Sequence, residues 1–296
     1  MNEFLGFLVN GLSLGAIYAL IALGFVMIFK ATSVMNFAHG SIVLLGAYVV
    51  GRTHDEVGFW WAALLGILAA AAAAALVDLI VLRHARGADL GTLAILTIGV
   101  DTLLSTELTR EMGTAILDAG APWGTSTVHL GGTSVPLSRL VAALVAVVVV
   151  AVLWAVFRFT HWGVRMRAAA EDGTTAALMG IRLGRVAAGA WAIAGVLAAL
   201  AGVFLTSFPS PGISPAAGVT ALAAVPAWVL GGFDSFPGAV VGGLVIGVVT
   251  ALSAGYQEHL LFLGRDLAQV APYAVMFLVL LVRPSGLFGS KEFARV

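Results

Sequence analysis

Apolar residues in this 296-residue chain fall in long, unbroken blocks separated by short polar ones. The blocks cover residues 5–29, 34–51, 59–82, 90–108, 137–157, 185–207, 216–232, 237–256 and 267–283. A helix needs roughly 20 apolar residues to cross a hydrocarbon core about 30 Å thick. A membrane-crossing strand instead alternates lipid-facing and lumen-facing residues, and these blocks do not alternate. The pattern predicts an all-α polytopic membrane protein, a bundle of eight or nine transmembrane helices. The second block is short and the seventh contains Pro226, so eight is the lower count and one segment is a candidate re-entrant.

The basic residues between blocks orient the bundle. With nine spans and the N-terminus outside, the inner side collects Lys30, Arg83, Arg86, Arg158, Arg165, Arg167, Arg182, Arg185, Arg283, Lys291 and Arg295. The outer side keeps only Arg52, Arg110, Arg139 and Arg265. Cytoplasmic loops carry the excess of Lys and Arg, which predicts a cell (inner) membrane protein with its C-terminus in the cytoplasm. The longest outer segment is then about 109–136, and the longest inner one is about 158–184. No water-soluble domain fits at either end, so 1–296 reads as a single transmembrane domain.

Composition agrees. The chain is 60% hydrophobic and 10% charged, with a mean hydropathy of +1.05, where soluble domains carry about 25% charged residues. A formal net charge of zero gives no pull toward nucleic acid. The absence of cysteine excludes disulfides, thiolate metal sites and cysteine nucleophiles. The first block follows Met1-Asn2-Glu3 without a basic leader or cleavage site, and reads as a span rather than a signal peptide. Gly11 with Gly15, Gly238 with Gly242, and Gly243 with Gly247 have the spacing that lets membrane helices approach closely.

The inner segment 158–184 contains helix formers from Val164 to Met179, and Gly180 stands where a left-handed cap would end that helix. Two readings weigh evenly on physics alone. The segment lies on the anionic membrane surface through its arginines, or it docks into a partner through its small residues.

A resemblance bears on that choice. Ala170-Glu171-Asp172, Ala176-Ala177 and Gly180-Ile181 resemble the cytoplasmic coupling loop of ABC importer permeases. The opening GLSLGAIYALIALGFVMIFKATSVMNFAHGSIVLLGAY, with Asn36-Phe37-Ala38-His39-Gly40 as its most specific part, resembles LivH-type permeases of branched-chain amino acid importers. Thr97-Ile98-Gly99, the stretch from Gly231 to Ala239, and the stretch from Leu280 to Gly289 agree. Asp101 departs from the small or hydroxyl residues more usual in that family. The resemblance implies a short cytoplasmic coupling helix, with Glu171, Asp172, Ala176, Ala177 and Gly180 meeting an ATPase. It also implies a second, LivM-like permease, two cytoplasmic ATPase subunits and an extracytoplasmic substrate-binding protein. No Gly-x-x-x-x-Gly-Lys-Ser/Thr loop occurs here, so the chain itself needs no cofactor, ATP being bound by the partner subunits.

Asn36, His39 and Gly40 flank a break between the first two blocks, and Asp101 lies inside the fourth. These four are the candidates for the translocation path. For Asn36 and His39 the favoured reading is that they hydrogen-bond the loop to the bundle, the alternative being that they shape the cytoplasmic end of the path, and His39 lacks a second metal ligand at useful spacing. An ionisable residue within a span marks function by default, although structural pairing accounts for Asp101 as well. Pro209, Pro211 and Pro215 set a stiff outer loop, most commonly a plain connector and alternatively a docking surface for a binding protein. The expected function is an importer permease for branched-chain amino acids, without enzymatic chemistry. The alternatives are a urea or short-amide permease of the same family, or an ion-driven secondary transporter.

Overall fold

The computed structural model describes residues 2–85, 87–124, 126–130, 133–206, 212–259 and 266–289. Pro209, Pro211, Arg86, Arg265, Lys291 and Arg295 lie outside the described residues. Helix α1 (Asn2–Thr32) is apolar around its whole circumference. A helix of that kind belongs in the centre of a bundle, and from Leu14 to Phe29 almost every side chain is buried. Packed on it are α11 (Phe236–Gly255), α8 (Leu183–Leu205) and α5 (Leu137–Phe159), while α2 (His39–Val57) and α3 (Phe59–Leu76) pack on each other and on the other side of α8. Helix α4 (Leu90–Met112) is peripheral, packing chiefly on α2.

Small residues make this closeness possible. A Cβ on Gly15 would sit 2.7 Å from Leu244 Cα, and one on Gly247 would sit 2.2 Å from the Gly15 backbone nitrogen. The pairs Gly11/Gly15 and Gly243/Gly247 therefore form the two sides of one helix crossing. Gly238 and Gly242 face Gly231 and Ala227 in the same way. The alanine run of α3 supplies a smooth face: Ala62, Gly66, Ala70 and Ala74 recur every fourth residue and are buried.

Six helices are long and apolar enough to cross a membrane among the described residues, namely Glu3–Thr32, Phe59–Leu82, Leu90–Met112, Leu137–Phe159, Leu183–Leu205 and Phe236–Gly255. The count falls below the eight or nine blocks for three local reasons. Residues 33–38 are not helical, so the second block begins only at His39, and α2 ends in the polar stretch Arg52 to Glu56. The seventh block is two short helices, α9 (Ala216–Leu222) and α10 (Val225–Gly231), with Pro226 in the first turn of the second. Proline is accepted there and not in mid-helix. The ninth, α12 (Leu267–Val282), has 16 residues.

Two further departures concern local order. The segment after α3 winds as a π-helical turn, Val77–Leu82, with the Arg83 amide donating to Asp78 O. The outer segment carries a small antiparallel pair, β1 (Thr127–Leu130) and β2 (Thr133–Pro136), so the chain is predominantly rather than wholly helical.

Candidate functional site

The break between α1 and α2 is a built structure. Ser33 adopts a positive φ of 55° that ends α1. Asn36 then folds the chain back, its Oδ1 accepting from the Ala38 amide at 3.0 Å while its carbonyl accepts from His39 N at 3.3 Å. This is an Asx turn. Helix α2 starts at His39, but its N-cap is Ala38, which offers no side-chain acceptor. Four amides at a helix start need partners, and one is met from another helix: Asp101 Oδ1 accepts from the Ser41 amide at 3.3 Å. The carboxylate also stands at the positive end of the α2 dipole.

One turn earlier on α4, buried Thr97 braces the same break. Its Oγ1 accepts from Phe37 N at 3.2 Å, and its single proton points to Ala94 O at 2.8 Å or Met35 O at 3.1 Å. Residues four apart share a helix face, so Thr97 and Asp101 together hold one strip of α4 against residues 35–41. Gly40 takes the opposite side, where a Cβ would lie 2.7 Å from Gly218 O of α9. The four path candidates thus come together at one point. Ser41 and Thr97 complete it; the hydroxyl of Thr97 and the amide at Ser41 carry no signal in an apolar pattern until the break is known.

His39 is fully buried. Its ring points toward the Ile21 backbone, yet neither ring nitrogen reaches hydrogen-bond geometry, and neither does Asn36 Nδ2. Such orphaned buried groups are rare in native structures and need a reason. Among the described residues no cluster of His, Asp and Glu suits a metal. The His39 ring instead packs on Phe25 at 4.6 Å between centroids, and Phe25 stacks on Trp228 at 4.9 Å.

This aromatic column leads to the turn between α10 and α11. Trp228 Nε1 donates to Phe233 O at 3.0 Å. Lys30, in the last turn of α1, donates through Nζ to Asp234 O at 3.0 Å and lies over the Phe236 ring. The segment after α12 seals the turn: Leu287 N donates to Leu230 O at 2.8 Å, and Phe288 N to Gly231 O at 3.0 Å. Gly232, at a φ of 109°, has no room for a Cβ against the Gly289 backbone. Two stretches far apart in sequence, 231–239 and 280–289, are therefore one contact.

The segment 158–184 forms two helices rather than one, α6 (His161–Glu171) and α7 (Gly173–Leu178). Asp172 makes the division. Its Oδ1 accepts from the amides of Thr174 and Thr175 at 2.9 and 3.0 Å, and its Oδ2 from Thr175 Oγ1 at 2.5 Å. A capping aspartate starts a new helix more readily than it continues an old one. The Thr175 hydroxyl, with the two amides, holds the Asp172 carboxyl below its ordinary range. At the other end the expected cap is present. Gly180 has a φ of 84°, Gly180 N donates to Ala177 O, and Ile181 N donates to Ala176 O, both at 3.0 Å. That is a Schellman motif. Ala176 is buried, whereas Glu171, Asp172, Ala177 and Gly180 are exposed. Leu178 and Met179 are 84% and 80% exposed, side by side at the tip of the loop.

Comparisons with known proteins identify the family. Residues 7–280 match the family described as the permease component of branched-chain amino acid transport systems. The chain is 33% identical to the high-affinity branched-chain amino acid transport system permease protein LivH of Salmonella typhimurium, over 100% of this chain and 99% of that one. It is 30% identical to the permease protein BraD of Pseudomonas aeruginosa, over 99% and 98%. In three dimensions it is similar to PsaBC from Streptococcus pneumoniae, with a TM-score of 0.50 at 13% identity, covering 94% of this chain and 92% of that one; at that identity the likeness concerns the fold alone. The chain belongs to the family of branched-chain amino acid transport permeases, as a multi-pass membrane subunit of an ABC importer.

Proposed function

We propose that this chain forms half of the path by which leucine, isoleucine or valine enters the cell, beside a second, LivM-like permease. Two cytoplasmic ATPases supply the energy, and an extracytoplasmic binding protein delivers the substrate. The observation that carries this reading is the match to branched-chain amino acid permeases along essentially the full chain. The excess of basic residues on one side supports an outer N-terminus and an inner C-terminus. With α2, the α9–α10 pair and α12 set into the bilayer beside the six long helices, the membrane-embedded segments number nine, the upper of the two counts the apolar blocks predict.

The α6–α7 loop is the handle on the ATPase. It is capped at both ends, and its two large apolar side chains, Leu178 and Met179, have no cover within the chain. The loop is rigid enough to transmit a push and sticky enough to receive one. ATP-driven movement of the loop switches the bundle between outward and inward openings. The break at residues 33–38 is the element that gives way. Discontinuous helices near a transport path leave backbone and side-chain groups free to meet a substrate, and Asn36 and His39 hold such groups. Beside them, α4 presents Thr102, Ser105, Thr106 and Thr109 next to Asp101. Hydroxyls on a membrane helix face the bundle interior or water more readily than lipid.

Uptake of labelled leucine, in cells whose own branched-chain systems are deleted, tests the reading. The chain expressed with its partner subunits restores uptake. Gly180→Val, which cannot hold a φ of 84° without strain, abolishes it while the protein stays in the membrane. Full uptake by that variant contradicts the coupling proposal, and no uptake by the unaltered system contradicts the substrate.

A further inference from the structure

Beside the α6–α7 loop lies a cavity of about 400 Å³ lined by Trp162, Arg165, Arg182 and Arg185. A second, of about 470 Å³, shares Arg182 and Arg185 and adds Arg83, Leu79 and Ala188. The two form one cleft where α6, the start of α8 and the π-helical turn meet. It holds four guanidinium groups and no carboxylate. Asp78 lines a neighbouring cavity with Thr32 and Leu183 instead. Among the described residues, none of the four side chains has an ion pair or a side-chain hydrogen bond. Four like charges around one concavity repel one another unless an anion sits among them.

The surroundings indicate which anion. Leu79 and Ala188 belong to the apolar helices Phe59–Leu82 and Leu183–Leu205, so one wall of the cleft continues directly onto membrane-crossing surface. Trp162 packs its indole against Gly189 of α8, at the boundary level where tryptophan is enriched. Guanidinium groups suit phosphate because their paired donors match its oxygens. We propose that this cleft binds the phosphate of an anionic membrane lipid, its acyl chains lying along Leu79 and Ala188. The bound lipid joins α6 to the base of α8 and fixes the root of the loop whose tip carries Leu178 and Met179. The proposal rests on the membrane placement of these helices and not on the transport reading.

The test is native mass spectrometry of the purified full chain after delipidation, with phosphatidylglycerol or phosphatidylcholine added back. The unaltered chain retains one phosphatidylglycerol under activation that strips phosphatidylcholine. Arg182→Gln with Arg185→Gln, at exposed positions that leave the bundle intact, lowers phosphatidylglycerol affinity about thirtyfold, at the typical contribution of an arginine near a membrane surface. Arg110→Gln with Arg139→Gln, at the far end of the bundle, leaves it unchanged. Equal retention of the two lipids overturns the proposal, as does a glutamine variant that binds like its parent. Displacement of the lipid by millimolar inorganic phosphate identifies a free anion as the ligand and overturns the lipid assignment. Loss of the bound lipid when ATPase subunits join the complex identifies an acidic protein surface as the occupant, and overturns it likewise. None of these readouts uses transport, so failure of the importer reading leaves the result intact.

Discussion

The carboxylate of Asp101 caps a helix to which it does not belong, accepting from the Ser41 amide at 3.3 Å at the start of α2. An ionisable side chain in a membrane helix is costly. Here its position follows from the chain's own geometry, because Ala38 cannot cap α2. Asp101→Ala leaves the first turn of α2 with an unmet amide and costs about 1–2 kcal/mol, as loss of a cap does. Asp101→Asn keeps an acceptor and recovers most of that loss. Thermal unfolding in detergent separates the two variants; equal melting temperatures for both would show that the cap carries no weight.

Much of this was legible in the sequence, and the parts that were not share a cause. The apolar blocks located α1, α3 with its π turn, α4, α5, α8 and α11 to within a few residues, since long uniform blocks leave little choice of element. Gly180 announced its cap, and the glycine pairs announced a close crossing. The blocks also ran through residues 34–38 and 223–224, where the helix stops without any loss of hydrophobicity. Ser33, Asn36 and Pro226 decide those breaks through backbone geometry, to which an apolar count is blind. Helix formers run past Asp172 on both sides, yet its side chain caps a new helix instead of continuing the old one. The junction of 231–239 with 280–289 is a tertiary contact, invisible in a linear pattern although both stretches stand out by themselves.

The crossing of α1 and α11 has no spare room. Gly247→Leu places a side chain where the Gly15 backbone already lies 2.2 Å from a Cβ. Overpacking of that kind costs about 1–3 kcal/mol and forces the helices apart. Lower yield in the membrane and a lower melting temperature are the expected outcome, and a variant that expresses and melts like its parent contradicts the packing.

Acid should loosen α7 first. The Asp172 carboxyl is held below its ordinary range by Thr175 and two amides, so its contribution to stability is present above the unfolded value of about 3.9. It is lost as pH falls through the lower folded value. The protection of the Thr174 and Thr175 amides relative to their intrinsic exchange rates falls over that interval, and Asp172→Ala lacks that protection already at neutral pH. Protection in the unaltered protein that does not change with acidity would exclude the cap.

The hydroxyl face of α4 can be probed against a clean background, because the chain has no cysteine. Thr102→Cys and Thr106→Cys react with a water-soluble methanethiosulfonate reagent in membranes, whereas Leu144→Cys, an apolar position of α5 that is 64% exposed in the isolated chain, reacts far more slowly. Reaction at all three alike, or at none, would remove α4 from the water-filled path.

Gentle purification of tagged protein from its native membranes, with identification of the chains that accompany it, tests the central claim most directly. Two nucleotide-binding ATPase subunits and a second permease in stoichiometric amounts are the predicted result, and Gly180→Val loses the ATPases while keeping the permease. A chain that purifies alone or only with copies of itself, and never with an ATPase, would contradict an importer driven through the α6–α7 loop.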